Sequence, residues 1–374
     1  MQVSSGQFIS SDDKVILRKT FQHVGMTAVV AMALVVSASA SKGSKTKAEP
    51  LPGPPELQLS GGRRLLYERT FSSQREVKLK KGFWTRLLDV VAGAPQYHDL
   101  VRPYSIAADS RGRLIITDPG VPGVHVFDFP RQKYKFIERE GKEAFRAPQC
   151  VAVDDEDNFY VTDSEAGKIF VFDAESKFRR VIGSIKGGEG YFKRPTGIAV
   201  DSAAGRLYVS DTLRHKIFVL DLEGNIVQAI GQNGAADGEF NFPTELRLAG
   251  DELIVVDAMN FRVQVLDRSG VFRYAIGNPG DGNGTMFRPK GIGLDSEHNL
   301  YVVDGLWGVV QVFNREGQLL YYFGQSGDAP GDFNLPSGLF VDRSNLIYVV
   351  DSLNRRVEVF HYFGPTAQTP GGTQ

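Results

Sequence analysis

The stretch RPTGIAVDSAAGRLYVSD, residues 194–211, contains the pattern on which the fold prediction depends. Its first half alternates as a strand does, and its second half, LYVSD, is a run of β-branched and aromatic residues that ends in aspartate. The phrase around the proline occurs six times along the chain, at successive spacings of 45, 47, 48, 46 and 47 residues. The six prolines are Pro103, Pro148, Pro195, Pro243, Pro289 and Pro336. This period indicates a repeat architecture with one structural unit per repeat.

Each repeat contains further runs with the composition of β-strands. The second run closes on an aspartate in every unit, at Asp118, Asp163, Asp211, Asp257, Asp304 and Asp351. A third run follows, and five units continue into a fourth, such as NIVQAIG (225–231). Residues that tolerate a positive φ separate the first two runs, which predicts hairpin turns there and makes His298 a turn residue and not a ligand. The repeats therefore predict an all-β fold, a six-bladed β-propeller of four-stranded antiparallel blades.

The sixth unit stops after its third run, RRVEVFHYF (355–363). The earlier segment RRLLYERTF (63–71) has the pattern of the missing fourth strand, so we expect it to pair into the last blade and close the ring. The segment FWTRLLDVVAG (83–93) has apolar residues at helical spacing, which predicts a short amphipathic helix. The alternative is that this segment supplies the closing strand.

The N-terminal region has a separate composition. Basic residues precede the apolar run TAVVAMALVV (27–36), and small residues follow it up to Ala40, a pattern typical of a signal peptide over residues 1–40. It predicts export to the periplasm or beyond, with a retained signal anchor in the membrane as the alternative. Residues 41–62 predict a disordered linker. The propeller is then expected over 63–363, with 63–101 as closing strand plus helix, followed by a disordered tail at 364–374.

The motifs within each unit resemble NHL repeats. They combine P-x-G-[IL]-x-[VL]-D, a strand ending [YF]-V-x-D, and D-x-x-N-x-R, as in DAMNFRVQVLD (257–267) and DSLNRRVEVF (351–360). The resemblance implies a six-bladed propeller of the exported bacterial type. Related propellers act as protein-binding platforms, RNA readers, receptor sensor domains and, less often, enzymes, so the resemblance predicts a fold and leaves the activity open.

The net charge and the amino-acid composition limit the classes of partner and ligand that we expect. The 43 basic and 44 acidic side chains give a net charge of −1, so nothing global attracts the chain to nucleic acid, and predicted export also argues against that partner. Cys150 is the only cysteine, which excludes an internal disulfide and a cysteine-based metal cluster. The dispersed histidines lack the set that propeller lyases place around their channel. No cofactor or metal is expected.

Two charged residues stand where an inner strand should be small and apolar. Glu245 and Arg247 replace the pair that is Gly197 and Ala199 in the preceding unit, and they share one face of the strand. We expect them to form an ion pair, which either fills space near the channel or anchors a ligand in it. Aspartates that close the second strands are expected to accept backbone hydrogen bonds.

The loops before each first strand and after each second strand are expected on one face of the ring. Candidate binding residues, including the axial pair, are Arg102, Tyr104, Arg194, Glu245, Arg247, Arg288, Lys290, Trp307 and Arg355. Arg214, His215, Arg262 and Arg356 are expected on the same face. Basic and aromatic side chains suit an acidic partner, although scattered arginines are also typical of an ordinary solvated surface.

These features favour a non-enzymatic binding or scaffold module for a protein, peptide or glycan in the cell envelope. The alternative is a metal-dependent hydrolase or lyase, similar to propeller lactonases, with its site at the channel mouth near Glu245.

Overall fold

Six antiparallel sheets account for nearly all of the regular structure. A computed structural model describes residues 56–77, 97–185, 190–280 and 282–365. The signal peptide predicted over 1–40 and the helix predicted over 83–93 lie outside the described residues, as does most of the tail. Within the described part the fold is the predicted all-β, six-bladed propeller.

The first three blades each contain four strands in sequence order from the axis outward. The first blade consists of β3 (Ser105–Ala108), β4 (Leu114–Asp118), β5 (Gly123–Asp128) and β6 (Lys133–Ile137). A two-residue hairpin, β7 (Arg139–Glu140) and β8 (Glu143–Ala144), follows it. The second blade consists of β9 (Pro148–Val153), β10 (Phe159–Asp163), β11 (Lys168–Phe172) and β12 (Phe178–Ile182). The third consists of β13 (Pro195–Asp201), β14 (Arg206–Asp211), β15 (Lys216–Asp221) and β16 (Ile226–Ile230).

The fourth and fifth blades repeat this order, and the sixth departs from it. The fourth consists of β17 (Pro243–Ala249), β18 (Glu252–Asp257), β19 (Arg262–Asp267) and β20 (Phe272–Ile276). The fifth consists of β21 (Pro289–Leu294), β22 (Leu300–Asp304), β23 (Val309–Phe313) and β24 (Leu319–Phe323). The sixth contains β25 (Leu339–Val341), β26 (Leu346–Asp351) and β27 (Arg356–Phe363), and two N-terminal strands complete it, β2 (Arg64–Phe71) and β1 (Glu56–Gln58). Short 3₁₀ turns lie at Ser60–Gly62, Gln74–Val77, Thr212–Arg214 and Ala258–Asn260.

The innermost strands contact one another around the axis in the order β3, β9, β13, β17, β21, β25 and back to β3. This approach is close enough to exclude side chains. A Cβ atom on Gly197 would lie 2.0 Å from the carbonyl oxygen of Thr244 in the next blade, and one on Gly291 would lie 2.4 Å from that of Ser337. Small residues at the axis are therefore required because neighbouring backbones meet there.

The N-terminal segment closes the ring as predicted. Strand β2 pairs antiparallel with β27 from Arg64 opposite Phe363 to Phe71 opposite Val357. The linker predicted over 41–62 extends too far, because Glu56–Gln58 pairs with β2 and 60–62 form a turn. Leu57 and Leu59 are the apolar residues of this segment, and Leu59 packs against the core of the fifth and sixth blades. Strand β1 forms the outer edge of the sixth sheet.

A buried aspartate at the end of every second strand fastens the loop that arrives from the preceding blade. Each of these six side chains is fully buried. The Asp304 carboxylate accepts N–H bonds from Phe287 at 2.7 Å and Arg288 at 3.3 Å, the two residues before the proline. Asp211 accepts the same pair of bonds from its own loop, at 2.9 and 3.0 Å. The structural role expected for these aspartates is confirmed.

We call the hydrogen bonds between each buried aspartate and its loop the clamp. Beside each clamp, the apolar side chain three residues before the proline packs into the core. All six are buried, with at most 7% of the side chain exposed. They are Leu100, Phe145, Phe192, Phe240, Met286 and Phe333. Each loop is thus held by a polar clamp and an apolar anchor, so the backbone on either side of the proline has a defined position.

One position in the third strand carries glutamine in the fourth and fifth blades and glutamate in the sixth. The Gln264 oxygen accepts the N–H of Gly238 at 3.0 Å, and its NH₂ group donates to the Glu239 carbonyl at 2.6 Å. Gln311 makes the equivalent two bonds. Glu358 occupies the corresponding position in β27, where an ionised carboxylate cannot donate.

The carboxylate of Glu358 is consequently only half satisfied. Its Oε2 accepts the N–H of Gly331 at 2.9 Å, whereas its Oε1 has no hydrogen-bond partner among the described residues. The Arg356 Nη2 lies 2.8 Å from Oε1, but its protons go to backbone carbonyls, including that of Asp332. Burial, with further contributions from Asp351 and Asp332, raises the pKa of Glu358 to about 7.

A Glu358→Gln substitution tests this arrangement through the pH dependence of stability. Because the folded-state pKa lies above that of an unfolded glutamate, the native state binds the extra proton, and stability is lost as pH rises from about 4.5 to about 7. We expect Glu358→Gln to stabilise the protein by about 2 kcal/mol at pH 8 and to change little at pH 5.

Urea unfolding of the variant and the wild type at both pH values measures this difference. Glu316→Gln, an exposed change of the same charge in the fifth blade, is the control and is expected to behave as the wild type. An equal effect of Glu358→Gln at pH 5 and pH 8 would show that Glu358 does not titrate as described.

Candidate binding site at the loop-built face

The loop-built face is formed by the loops that precede the inner strands and those that follow the second strands. The residue before the proline is an exposed arginine in three blades, at Arg102, Arg194 and Arg288. Their backbone N–H groups are held by the buried aspartates. Within the described part of the chain, their guanidinium groups make no hydrogen bond or ion pair. The backbone of each arginine is therefore fixed, while its guanidinium group is exposed and forms no bond with the described residues.

Lys290 adds a fourth cation, one residue after the proline of the fifth blade. It is half-buried, it makes no ion pair with any described residue, and its aliphatic chain lies over Gly305. Burial and the neighbouring Arg288 and Arg102 lower the pKa of Lys290 to about 8. Arg102, Arg194, Arg288 and Lys290, which we call the cationic centre, are therefore four positive side chains that form no ion pair with the described residues.

Tyr104 occupies the same position in the first blade as Lys290 does in the fifth. It packs against the apolar cluster of the second and third blades, which includes Cys150. Burial, together with Cys150 and Glu245, raises the pKa of the Tyr104 hydroxyl. The phenol is neutral and acts as a hydrogen-bond donor or acceptor beside the cationic centre.

Glu245 and Arg247 lie along the axis and not on the loop-built face. The thiol of Cys150 donates to Glu245 Oε2 at 3.0 Å, and Arg247 Nη1 donates to Glu245 Oε1. Arg247 also donates to the carbonyls of Leu246 and Leu339, both at 2.9 Å. The pair consequently links the fourth blade to the second and the sixth. Burial and the charge of Glu245 raise the pKa of Cys150, so the thiol keeps its proton.

Beyond this pair the channel widens into a cavity of about 150 Å³ toward the opposite mouth. Its lining is apolar apart from Arg247, and it includes Phe340, the other large residue at the axis. The single set of candidate residues expected from the sequence is therefore divided. Seven lie at the loop-built face, and Glu245 and Arg247 belong to the axis.

An arc of exposed apolar side chains surrounds the cationic centre, and sequence reasoning missed it. The residue two positions after the closing aspartate is 44 to 52% exposed in four consecutive blades. These residues are Leu213, Met259, Leu306 and Leu353. Phe242 and Phe287, in the adjoining loops, are also exposed. Recurrence of large apolar residues at one turn position was the signal available in the sequence.

Several polar residues expected on this face are committed to internal bonds. Arg214 and Arg262 donate to their own blade's aspartates at 3.0 and 2.9 Å, and Arg356 does the same. His215 Nδ1 accepts the N–H of Phe242 at 3.2 Å. These four residues build the loops. Arg355 is exposed with φ +58°, whereas Trp307 is half-buried.

The described residues contain no group of three or more His, Cys, Asp or Glu side chains arranged to hold a metal ion. His298 lies in a first hairpin turn with φ +63°, as predicted. In the part of the chain that the structure describes, no helix has the length and hydropathy needed to span a membrane.

Comparison with known proteins supports the fold. A family model described as a six-bladed β-propeller matches residues 131–231, and no curated protein matches the sequence. An auxiliary nutrient binding protein from Bacteroides thetaiotaomicron is similar, with a TM-score of 0.56 and 14% identity over 71% of this chain and 70% of the other. Virginiamycin B lyase from Staphylococcus aureus is similar, with a TM-score of 0.53 and 12% identity over 80% of this chain and 99% of the other.

A streptogramin B lyase structure is also similar, with a TM-score of 0.52 and 14% identity over 71% of this chain and 94% of the other. At these identities the likeness concerns the fold alone. Since the similar structures include both a binding protein and lyases, the fold is compatible with more than one function.

A double-mutant cycle tests the axial pair. Arg247→Ala leaves the buried Glu245 carboxylate without its cation, and we expect it to destabilise the protein by about 3 kcal/mol. Adding Glu245→Ala removes the orphaned charge and recreates the small residues of the other blades, so the double variant is expected to be more stable than Arg247→Ala alone. Urea unfolding measures the free energy of unfolding of both variants. A double variant at least as unstable as the sum of the two single changes would contradict the account.

Proposed function

We propose that this protein is an exported, non-enzymatic binding or scaffold propeller that holds a protein partner of the cell envelope on its loop-built face. The main support for this proposal is the cationic centre, where four positive side chains have no ion-pair partner among the described residues. We further propose that its repeats are NHL repeats, because their sequence motifs resemble those of that family.

The electrostatics of Lys290 favour an acidic ligand group. A lysine whose pKa is lowered by burial and by two arginines is stabilised in its charged form when a carboxylate binds nearby. The same carboxylate would accept hydrogen bonds from the adjacent arginines, and bonds between charged groups are stronger than neutral ones. Binding of an acidic group therefore relieves a repulsion that the free protein contains.

The apolar arc favours a protein over a glycan as the partner. Leu213, Met259, Leu306 and Leu353 are apolar and not aromatic, so they neither form hydrogen bonds with sugar hydroxyls nor stack on sugar rings, and among the exposed apolar residues of the arc and its adjoining loops only Phe242 and Phe287 are aromatic. Contiguous exposed apolar side chains bordering a polar centre are typical of protein–protein interfaces. The matching surface on the partner is an acidic residue flanked by apolar side chains.

The alternative of a metal-dependent hydrolase or lyase at Glu245 has less support. Both carboxylate oxygens of Glu245 already accept bonds, one from Arg247 and the other from Cys150. A general base or metal ligand would have to give up one of these partners first. The axial pair is better explained as a link between blades.

Site-specific photo-crosslinking in envelope preparations tests the binding face. A crosslinking residue at Leu306 is expected to capture a protein that one at Val271, 62% exposed in a turn on the opposite face, does not. Arg288→Glu with Lys290→Glu is expected to reduce this capture at least tenfold, because it replaces two cations with carboxylates. Capture by the wild type is expected to weaken above pH 8 as Lys290 loses its proton.

Lys177→Glu with Arg343→Glu makes the same change of charge on exposed residues of the opposite face and is the matched control. Equal capture from positions 306 and 271, or capture that survives reversal of Arg288 and Lys290, would refute the proposed face.

A further inference from the structure

A cleft of about 370 Å³ lies between the first and second blades, on the face opposite the loop-built face. Its walls come from the β5–β6 hairpin of the first blade and the turn after β11 of the second. Five basic residues line it, together with Asp128 and Glu175. The basic residues are Arg111, Arg113, Arg131, Lys133 and Lys135.

The equivalent cleft between the fourth and fifth blades is nearly closed, at about 10 Å³. Tyr274 lies there at the position of Lys135, since both pair with the matching residue of the third strand. Glu252 lies at the position of Arg113 and is neutralised by Arg273 and Arg315 at 3.7 and 3.5 Å. Arg111 and Arg131 form ion pairs with acidic neighbours, whereas Lys133 forms none with a described residue. The open cleft between the first and second blades is therefore not a general consequence of blade geometry.

Arg113 is held rigidly at this cleft but is incompletely bonded. Its side chain is 8% exposed, Nε donates to Asp109 at 2.5 Å, and Nη1 donates to Ser176 at 3.2 Å. Its Nη2 is buried and has no hydrogen-bond acceptor among the described residues. A buried donor left unpaired costs free energy, which an acceptor entering the cleft would recover.

Lys133 and Lys135 place two further positive charges beside Arg113. Lys133 is exposed and forms no ion pair within the described residues. The Lys135 ammonium donates to the Ser176 carbonyl at 2.6 Å, which holds it at the wall next to the second blade. Arginine and lysine together are the usual ligands of phosphate oxygens.

We propose that this cleft is a binding site for a small molecule bearing a phosphate ester. Ligand sites for small organic molecules have volumes of roughly 300–1,000 Å³, so the cleft has room for a phosphate group and a sugar-sized body. Arg113 and Lys135 contact the phosphate, while Val126 packs against the body. The site is independent of the loop-built face.

Isothermal titration calorimetry on the full chain, with inorganic phosphate, sulfate, a hexose 6-phosphate and the uncharged hexose as probes, tests the proposal. The hexose phosphate is expected to bind more tightly than either inorganic ion, and the uncharged hexose is expected not to bind. Lys133→Glu is expected to weaken binding by about tenfold, since it places a carboxylate at the cleft.

Lys177→Glu makes the same change of charge on an exposed residue nearby that does not line the cleft, and it is expected to bind as the wild type does. Arg113→Lys keeps the charge but removes the planar guanidinium, and it too is expected to weaken binding. Failure of this variant to fold would leave the Lys133→Glu comparison intact.

Three results would overturn the proposal. The first is no saturable binding of any probe up to about 10 mM. The second is equal affinity in the wild type and Lys133→Glu. The third is binding of inorganic phosphate or sulfate as tight as that of the hexose phosphate, which would show that the cleft does not recognise the body of the ligand.

Discussion

The buried aspartates at the ends of the second strands are the constraint on which the functional surface depends. A carboxylate with no solvent exposure is costly unless it is hydrogen-bonded, and these carboxylates are bonded to backbone N–H groups of the loops between blades. Asp118, Asp211 and Asp304 hold the backbones of Arg102, Arg194 and Arg288 respectively. The same bonds that stabilise the loops therefore set the spacing of the cations at the loop-built face.

Several features of the described residues depart from the repeat. The repeat requires small residues at the axis, yet the fourth blade has Glu245 and Arg247. Gln264 and Gln311 donate hydrogen bonds from one position of the third strand, yet the sixth blade has Glu358 there. The cleft beside Arg113 is open where the equivalent cleft is closed. The blades that follow the repeat provide the frame in which these departures occur.

Much of the fold could be predicted from the sequence because a propeller is periodic. The spacing of the prolines, the closing aspartates and the match of 63–71 to the missing strand led to the six blades and their closure. The site was predicted less well. Arg262 and Arg356, five residues after the closing aspartate, donate to that aspartate, whereas Arg355, four residues after it, is exposed, and the sequence reasoning did not separate these two positions. The cleft combines side chains of two repeats, and no pattern within one repeat reveals it.

The clamp itself can be measured by hydrogen exchange of the amides of Arg102, Arg194 and Arg288, monitored by NMR. These amides belong to surface loops, where exchange is ordinarily fast, but each is bonded to a buried carboxylate. If the aspartates hold these amides, they are expected to exchange as slowly as amides in the middle of the second strands, through the same global opening. Exchange at the rate of the unbonded exposed loops would show that the aspartates do not hold the loop-built face in place.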